Sequence, residues 1–131
     1  MANEKRALIV EDNKLAQNSI EFILTELGWL PPALAARGKD ALEILTKERD
    51  KLDLIILDQN LPDFPGLDFL RRATNHFATL PPVIMLTGTD DPSLETKAKS
   101  LGAIAFIMKH QLSFDKMKEL FSEIFDSNQS T

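Results

Sequence analysis

Four stretches of this chain, residues 7–10, 54–57, 83–86 and 103–108, are apolar almost without interruption. A strand with one wet face alternates apolar and polar side chains. A strand covered on both faces does not, and unbroken runs of this length belong to parallel sheets sandwiched between helices. A fifth stretch, residues 30–35, is weaker. Pro31 and Pro32 lack the N–H that a ladder needs, so as a strand it belongs at a sheet edge.

Between these runs the apolar residues recur at helical spacing. Ala16, Ile20, Ile23, Leu24 and Leu27 form one stripe, and Gly28 stops it. Residues 39–47 carry Ala41, Leu42 and Leu45, and residues 67–77 carry Leu67, Leu70, Ala73 and Phe77. Asp91 followed by Pro92 reads as a helix cap with proline at the first helical position, and Gly102 closes that helix. From Ser113 onward, Phe114, Met117, Leu120, Phe121, Ile124 and Phe125 stack on one helix, and the polar tail SNQST is expected to fray. Strand and helix alternate five times. That order predicts an α/β fold, a doubly wound parallel sheet with helices on both faces. No internal repeat, linker or second domain interrupts the 131 residues.

In such sheets, sites form outside the carboxyl ends of the strands. The first apolar run ends at Glu11-Asp12, the one at 54–57 at Asp58, the next at Thr87 and the last at Lys109. A parallel sheet gathers all of them at one edge. Three adjacent carboxylates repel one another, and a hard divalent cation relieves that repulsion. Mg²⁺ prefers oxygen ligands and often shares its shell with phosphate, whereas zinc is poorly matched to a group without cysteine or an evident histidine. With the Lys109 ammonium and the Thr87 hydroxyl, the edge describes a place for a phosphoryl group. Asp58 is then the natural nucleophile, able to form an acyl phosphate.

These residues resemble the receiver domain of bacterial two-component response regulators. The resemblance rests on the acidic pair in LIVED, on Asp58 in LIILDQNLPDFPG, on Thr87 in VIMLTG and on Lys109 in AFIMK, and it covers residues 5–126. It implies one receiver domain over residues 1–131, a polar tail at 127–131, a flavodoxin-like strand order 2-1-3-4-5, and the length of the single-domain, chemotaxis-type members. It further implies that Asp58 takes a phosphoryl group from a phosphohistidine on a sensor kinase or histidine phosphotransfer protein. Asp12 and Asp58 would bind Mg²⁺ directly, Glu11 through water, and Asn60 through its backbone carbonyl. Thr87 would move to the phosphoryl group, Lys109 would pair with one of its oxygens, and Phe106 would turn inward as a switch aromatic. Asn60 and Thr89 would tune self-catalysed hydrolysis. The fourth helix, fifth strand and fifth helix would carry the change to a protein partner, as a monomer or a weak phosphorylation-linked dimer.

Two positions depart from the family pattern. His110 stands where proline usually follows the lysine, and Gly88 stands where alanine is common. A non-proline cis bond costs about 2.5–4 kcal/mol, so the sequence leaves the Lys109–His110 bond open between cis and trans, and a trans bond would aim Lys109 differently. His110 is read as a solvent-facing helix-entry residue, and His76 is given no role.

Other functions fit less well. An aspartate-based phosphatase wants a second aspartate where Asn60 stands. An FMN carrier wants a phosphate loop where the chain has EDNKLAQ. A receiver that works only as a binding surface, without phosphorylation, is the main alternative. The net charge of −5 and the lack of Lys/Arg runs argue against a nucleic-acid groove. The longest apolar runs are about six residues, short of the roughly 20 that span a bilayer. There is no cysteine and no signal-like N-terminus, so the expected location is the cytoplasm and the expected output is binding rather than turnover.

Overall fold

A computed structural model describes residues 4–126. The strands are β1 (Ala7–Val10), β2 (Ala33–Ala35), β3 (Leu54–Leu57), β4 (Val83–Thr87) and β5 (Ala105–Met108). They alternate with helices α1 (Lys14–Glu26), α2 (Gly38–Glu48), α3 (Gly66–His76), α4 (Pro92–Ser100) and α5 (Phe114–Phe121). The sheet runs β2-β1-β3-β4-β5 with every neighbouring pair parallel. The fold class and strand order are those expected.

The unbroken apolar runs divide by parity. Leu8 and Val10 of β1, Ile55 and Leu57 of β3, and Val83 and Met85 of β4 pack with Ala41 and Leu45 of α2, Phe69, Leu70 and Ala73 of α3, and Leu94 and Ala98 of α4. Their neighbours Ala7, Ile9, Leu54, Ile56, Ile84 and Leu86 face the other way, against Ile20, Ile23 and Leu24 of α1 and Met117, Leu120 and Phe121 of α5. Both sheet faces are therefore core, which is why no polar residue interrupts these strands. Each fully buried Leu, Ile or Phe contributes about 1.5–3 kcal/mol relative to exposure.

The boundaries differ in instructive places. Residues 30–32 lie outside β2, because Pro31 and Pro32 cannot donate to a ladder; the remaining three-residue strand sits at the sheet edge as expected. Strand β5 begins at Ala105 rather than 103; the Ile104 N–H still donates to the Val83 carbonyl at 2.9 Å, while its side chain points out with 48% exposure. Thr87 is the last residue of β4 itself. Phe114 is 39% exposed, outside the apolar stack it was assigned to, and α5 passes into a π-helical turn at Ser122–Asp126. Phe69, fully buried on α3, was absent from the expected stripe. Gly28 and Gly102 do end their helices, with φ of 86° and 106° that only glycine adopts freely. The SNQST tail lies outside the described residues.

Register sets the functional edge. Val10 pairs with Leu57, so Glu11 and Asp58 leave adjacent strands at the same level. The Asp58 N–H donates to the Val10 carbonyl at 3.0 Å and the Glu11 N–H to the Ala35 carbonyl at 2.9 Å. The chain crosses from β2 past β1 to β3, so the crevice between the β1 and β3 ends is the topological switch point, where ligands of open α/β sheets bind.

Candidate functional site

Three loops meet at the carboxyl edge. Glu11 and Asp12 begin the β1–α1 turn, Asp58 begins the β3–α3 loop, and Lys109 opens a 3₁₀ turn, Lys109–Gln111, after β5. Glu11, Asp12 and Asp58 each place a carboxylate oxygen within 4.8 Å of the others. Glu11 is 2% and Asp58 3% exposed, while Asp12 is open to solvent. The Lys109 Nζ lies 2.7 Å from Glu11 Oε1 and 3.3 Å from Asp58 Oδ2. Its stem comes from the far side of the sheet, so one cation closes the ring of carboxylates.

The electrostatics follow from burial. Burial raises the Glu11 pKa above the ordinary carboxylate value, and the nearby Asp58 charge pushes the same way, against the lowering bonds from Lys109 and the Asn13 N–H. Burial would also lower the Lys109 pKa. The bond to Glu11 and the charges of Asp58 and Glu11 outweigh it, and the pKa rises. Lys109 is held as a cation. Asp58 Oδ1 is buried and has no hydrogen-bond partner. A carboxylate oxygen in that state lacks a compensating donor or cation.

An all-oxygen donor set with an unpartnered buried acceptor is what a hard cation requires, so the residues present fit Mg²⁺. Asp12, the exposed member, leaves the solvent side of the cluster accessible.

Around this centre, Thr87 is fully buried and its Oγ1 accepts the Thr89 N–H at 3.1 Å. The Asn60 Nδ2 donates to the Thr89 Oγ1 at 3.1 Å, which ties the β3–α3 loop to the β4–α4 loop. Phe106 is half-buried on β5, opposite Met85 of β4. The Lys109–His110 bond is trans, and Lys109 reaches both carboxylates. His110 is exposed. A Cβ on Gly88 would meet only the Lys109 Cδ, at 4.0 Å, so space does not demand glycine there. His76 packs edge-on against Phe77, lining a groove between α2 and α3 of about 540 Å³ that is not part of the acidic edge.

Several residues that shape the edge were not singled out in the sequence. Asn13 caps α1, its side chain accepting the Ala16 N–H at 2.9 Å. Gln59 accepts the Gly66 N–H on its backbone carbonyl at 2.8 Å and the Leu67 N–H on its side chain at 2.9 Å, so it caps α3. Asp63 accepts the Gly38, Lys39 and Phe64 N–H groups, each at 2.9 Å, and so caps α2 from another loop. The loop carrying Asp58 is thereby fixed to two helix N-termini. Gln17 is buried on α1 and bonds the Glu11 carbonyl. The one signal available for Gln17 was a polar residue on the apolar stripe of Ile20 and Leu24.

An acidic cluster with a lysine thus sits at the switch point of a 2-1-3-4-5 parallel sheet. The profile of the response regulator receiver domain matches residues 7–122, and the chain belongs to that family. A probable chemotaxis protein CheY of Rhizobium etli is 29% identical over 126 residues, covering 95% of both chains. The transcriptional regulatory protein CrdR of Helicobacter pylori is 29% identical over 125 residues, covering 95% of this chain and 57% of its own. The chain thus spans just over half the length of some of the curated regulators it matches. Among solved structures, a CheY-like receiver domain protein from Methanospirillum hungatei JF-1 superposes with a TM-score of 0.83 at 27% identity over 98% of both chains. Receiver domains are phospho-accepting switches in two-component signalling, work with histidine kinases or phosphotransfer proteins and downstream effectors, and typically use Mg²⁺ at an acidic pocket. No helix among the described residues is long and apolar enough to cross a membrane.

Proposed function

We propose that the chain is one receiver domain in which Asp58 is the phosphoacceptor. The observation that carries this is the Asp58 carboxylate itself: buried, one oxygen without a partner, between two further carboxylates and the Lys109 ammonium. In the transfer, an Asp58 oxygen attacks phosphorus, the P–N bond to the donor histidine breaks, and its electron pair stays on the imidazole nitrogen. Asp12, Asp58 and the Asn60 carbonyl would hold a Mg²⁺, with Glu11 helping through water, and the ion would supply charge neutralisation for the transferred oxygens. Lys109 exchanges part of its pairing with Asp58 and Glu11 for a phosphoryl oxygen. The Thr87 hydroxyl turns from the Thr89 N–H to another.

That exchange is the switch. A phosphoryl group adds charge and acceptor oxygens at one point, and two packings a few kcal/mol apart can be rebalanced by it. As Thr87 moves, Phe106 turns inward, and the face of α4, β5 and α5 presents the change to a protein partner. Asn60 and Thr89, already bonded to each other, flank the acyl phosphate and tune its hydrolysis. The output is binding, in the cytoplasm, by a monomer or a weak phosphorylation-linked dimer. The alternative of a phosphorylation-independent binding surface drew its support from His110; a trans bond that leaves Lys109 in the pocket weakens that support.

Intact-mass measurement after incubation with acetyl phosphate tests the assignment. One phosphoryl adduct is expected with Mg²⁺ and none with EDTA or on Asp58→Asn. An adduct indifferent to that substitution would move the acceptor to another residue.

A further inference from the structure

Four polar side chains are buried among the described residues: Glu11, Gln17, Asp58 and Thr87. Three belong to the candidate site. Gln17, 7% exposed on α1, is the fourth. It lies three residues before Ile20 and seven before Leu24, on the stripe that faces the sheet, where an aliphatic residue would pack without needing a partner. Its Nε2 donates to the backbone carbonyl of Glu11.

We infer that Gln17 is a positioning residue that sets the cation affinity of the acidic cluster. This rests on the reading of Glu11, Asp12 and Asp58 as a Mg²⁺ site.

The hydrogen bonds around Glu11 show what Gln17 controls. The Glu11 N–H is held by the Ala35 carbonyl at 2.9 Å. Its Oε2 accepts the Asn13 N–H at 3.1 Å, and its Oε1 faces Lys109 at 2.7 Å. The carbonyl is the remaining polar group, and it belongs to the peptide unit that joins Glu11 to Asp12. No backbone N–H among the described residues bonds it, since β1 ends at Val10. Gln17 therefore fixes the plane of the Glu11–Asp12 peptide against the rigid body of α1. Both carboxylates project from the two ends of that peptide. Without the donor, the plane is free to turn, and Glu11 and Asp12 must be ordered when the cation binds rather than before. Partners that orient metal ligands in this way typically account for about 10–100-fold in metal affinity.

The test is calorimetric titration of the full chain with MgCl₂, alongside its melting temperature in EDTA. Gln17→Met keeps length and volume but removes the donor. Gln17→Asn keeps the amide but shortens its reach. Asn18→Ala, on the exposed side of α1, is the control. Both Gln17 variants are expected to weaken the Mg²⁺ dissociation constant by about tenfold or more, and Asn18→Ala to leave it unchanged. Gln17 variants that melt at a lower temperature yet bind Mg²⁺ like the parent chain would overturn the positioning role and leave the site reading standing. A parent chain that does not bind Mg²⁺ overturns the site reading and the inference together.

Discussion

Gly66 is the residue on which the placement of Asp58 most directly depends. It opens α3, and a Cβ built there would lie 2.3 Å from the Asp58 carbonyl oxygen, 2.9 Å from the Gln59 Cα and 3.1 Å from the Asp58 carbonyl carbon. All three are backbone atoms, and the Gly66 N–H is bonded to the Gln59 carbonyl at 2.8 Å, so no side-chain rotation relieves the contact. In Gly66→Ala the Asp58–Gln59 backbone must retreat by about 1 Å. Overpacking of this kind costs about 1–3 kcal/mol, and the better helix propensity of alanine returns up to about 1 kcal/mol. The net loss is about 1–2 kcal/mol, or roughly 4–7 °C in melting temperature for a domain of this size. The functional loss is larger, because a misplacement of about 1 Å at a reacting group costs on the order of 100-fold in rate. Gly38→Ala is the comparison. Its Cβ would meet Phe64 ring atoms at 2.4–3.1 Å, and a ring on the end of a side chain can swing aside. Urea unfolding and the rate of acyl phosphate formation from acetyl phosphate, measured on both variants, decide the matter. A Gly66→Ala chain with parental stability and rate would refute the claim that this helix start holds the acceptor in place.

Two further predictions concern charge. Lys109→Met leaves Glu11 and Asp58 without their cation. Breaking a fully buried pair costs about 3–5 kcal/mol, but the Lys109 side chain is 31% exposed, so the expected loss is about 1–2 kcal/mol. Millimolar Mg²⁺ should recover more stability in this variant than in the parent, read as the shift in urea midpoint on adding the cation; equal shifts would refute it. Asp63 gives a pH signature: burial pushes its pKa up, but the Lys39, Gly38 and Phe64 N–H bonds pull harder and leave it below the ordinary value. A depressed carboxylate contributes stability that is present above its unfolded pKa and lost as pH falls through the folded one. Asp63→Ala should therefore cost about 1 kcal/mol at neutral pH and progressively less below about pH 4, and a loss constant from neutral to acid pH in melting experiments would show that the cap carries no charge effect.

The groups proposed to react were legible because they interrupt a pattern. Asp58 ends the apolar run Leu54–Leu57, and Glu11, Thr87 and Lys109 end theirs in the same way, so the sheet topology alone brings them to one edge. Boundaries were less legible, since Pro31 and Pro32 are apolar residues that a composition-based strand includes and a hydrogen-bond ladder does not, and the apolar run from Ala103 starts two residues before β5 does. The positioning groups were illegible for a different reason. Gln17, Gln59, Asn13 and Asp63 all act on backbone atoms: the Glu11 carbonyl, the Gly66 and Leu67 N–H groups, the Ala16 N–H, and the N–H groups that open α2. Every residue offers a backbone carbonyl, and every residue but proline an N–H, so the partner's identity leaves no mark in the sequence. Only the third dimension says which amide is left over at a strand end or a helix start. The residues proposed for chemistry at this edge can therefore be read from the sequence, and those that hold its backbone cannot. A variant of the second kind, such as Gln17→Met, keeps every carboxylate of the edge and is expected to alter how two of them, Glu11 and Asp12, are held.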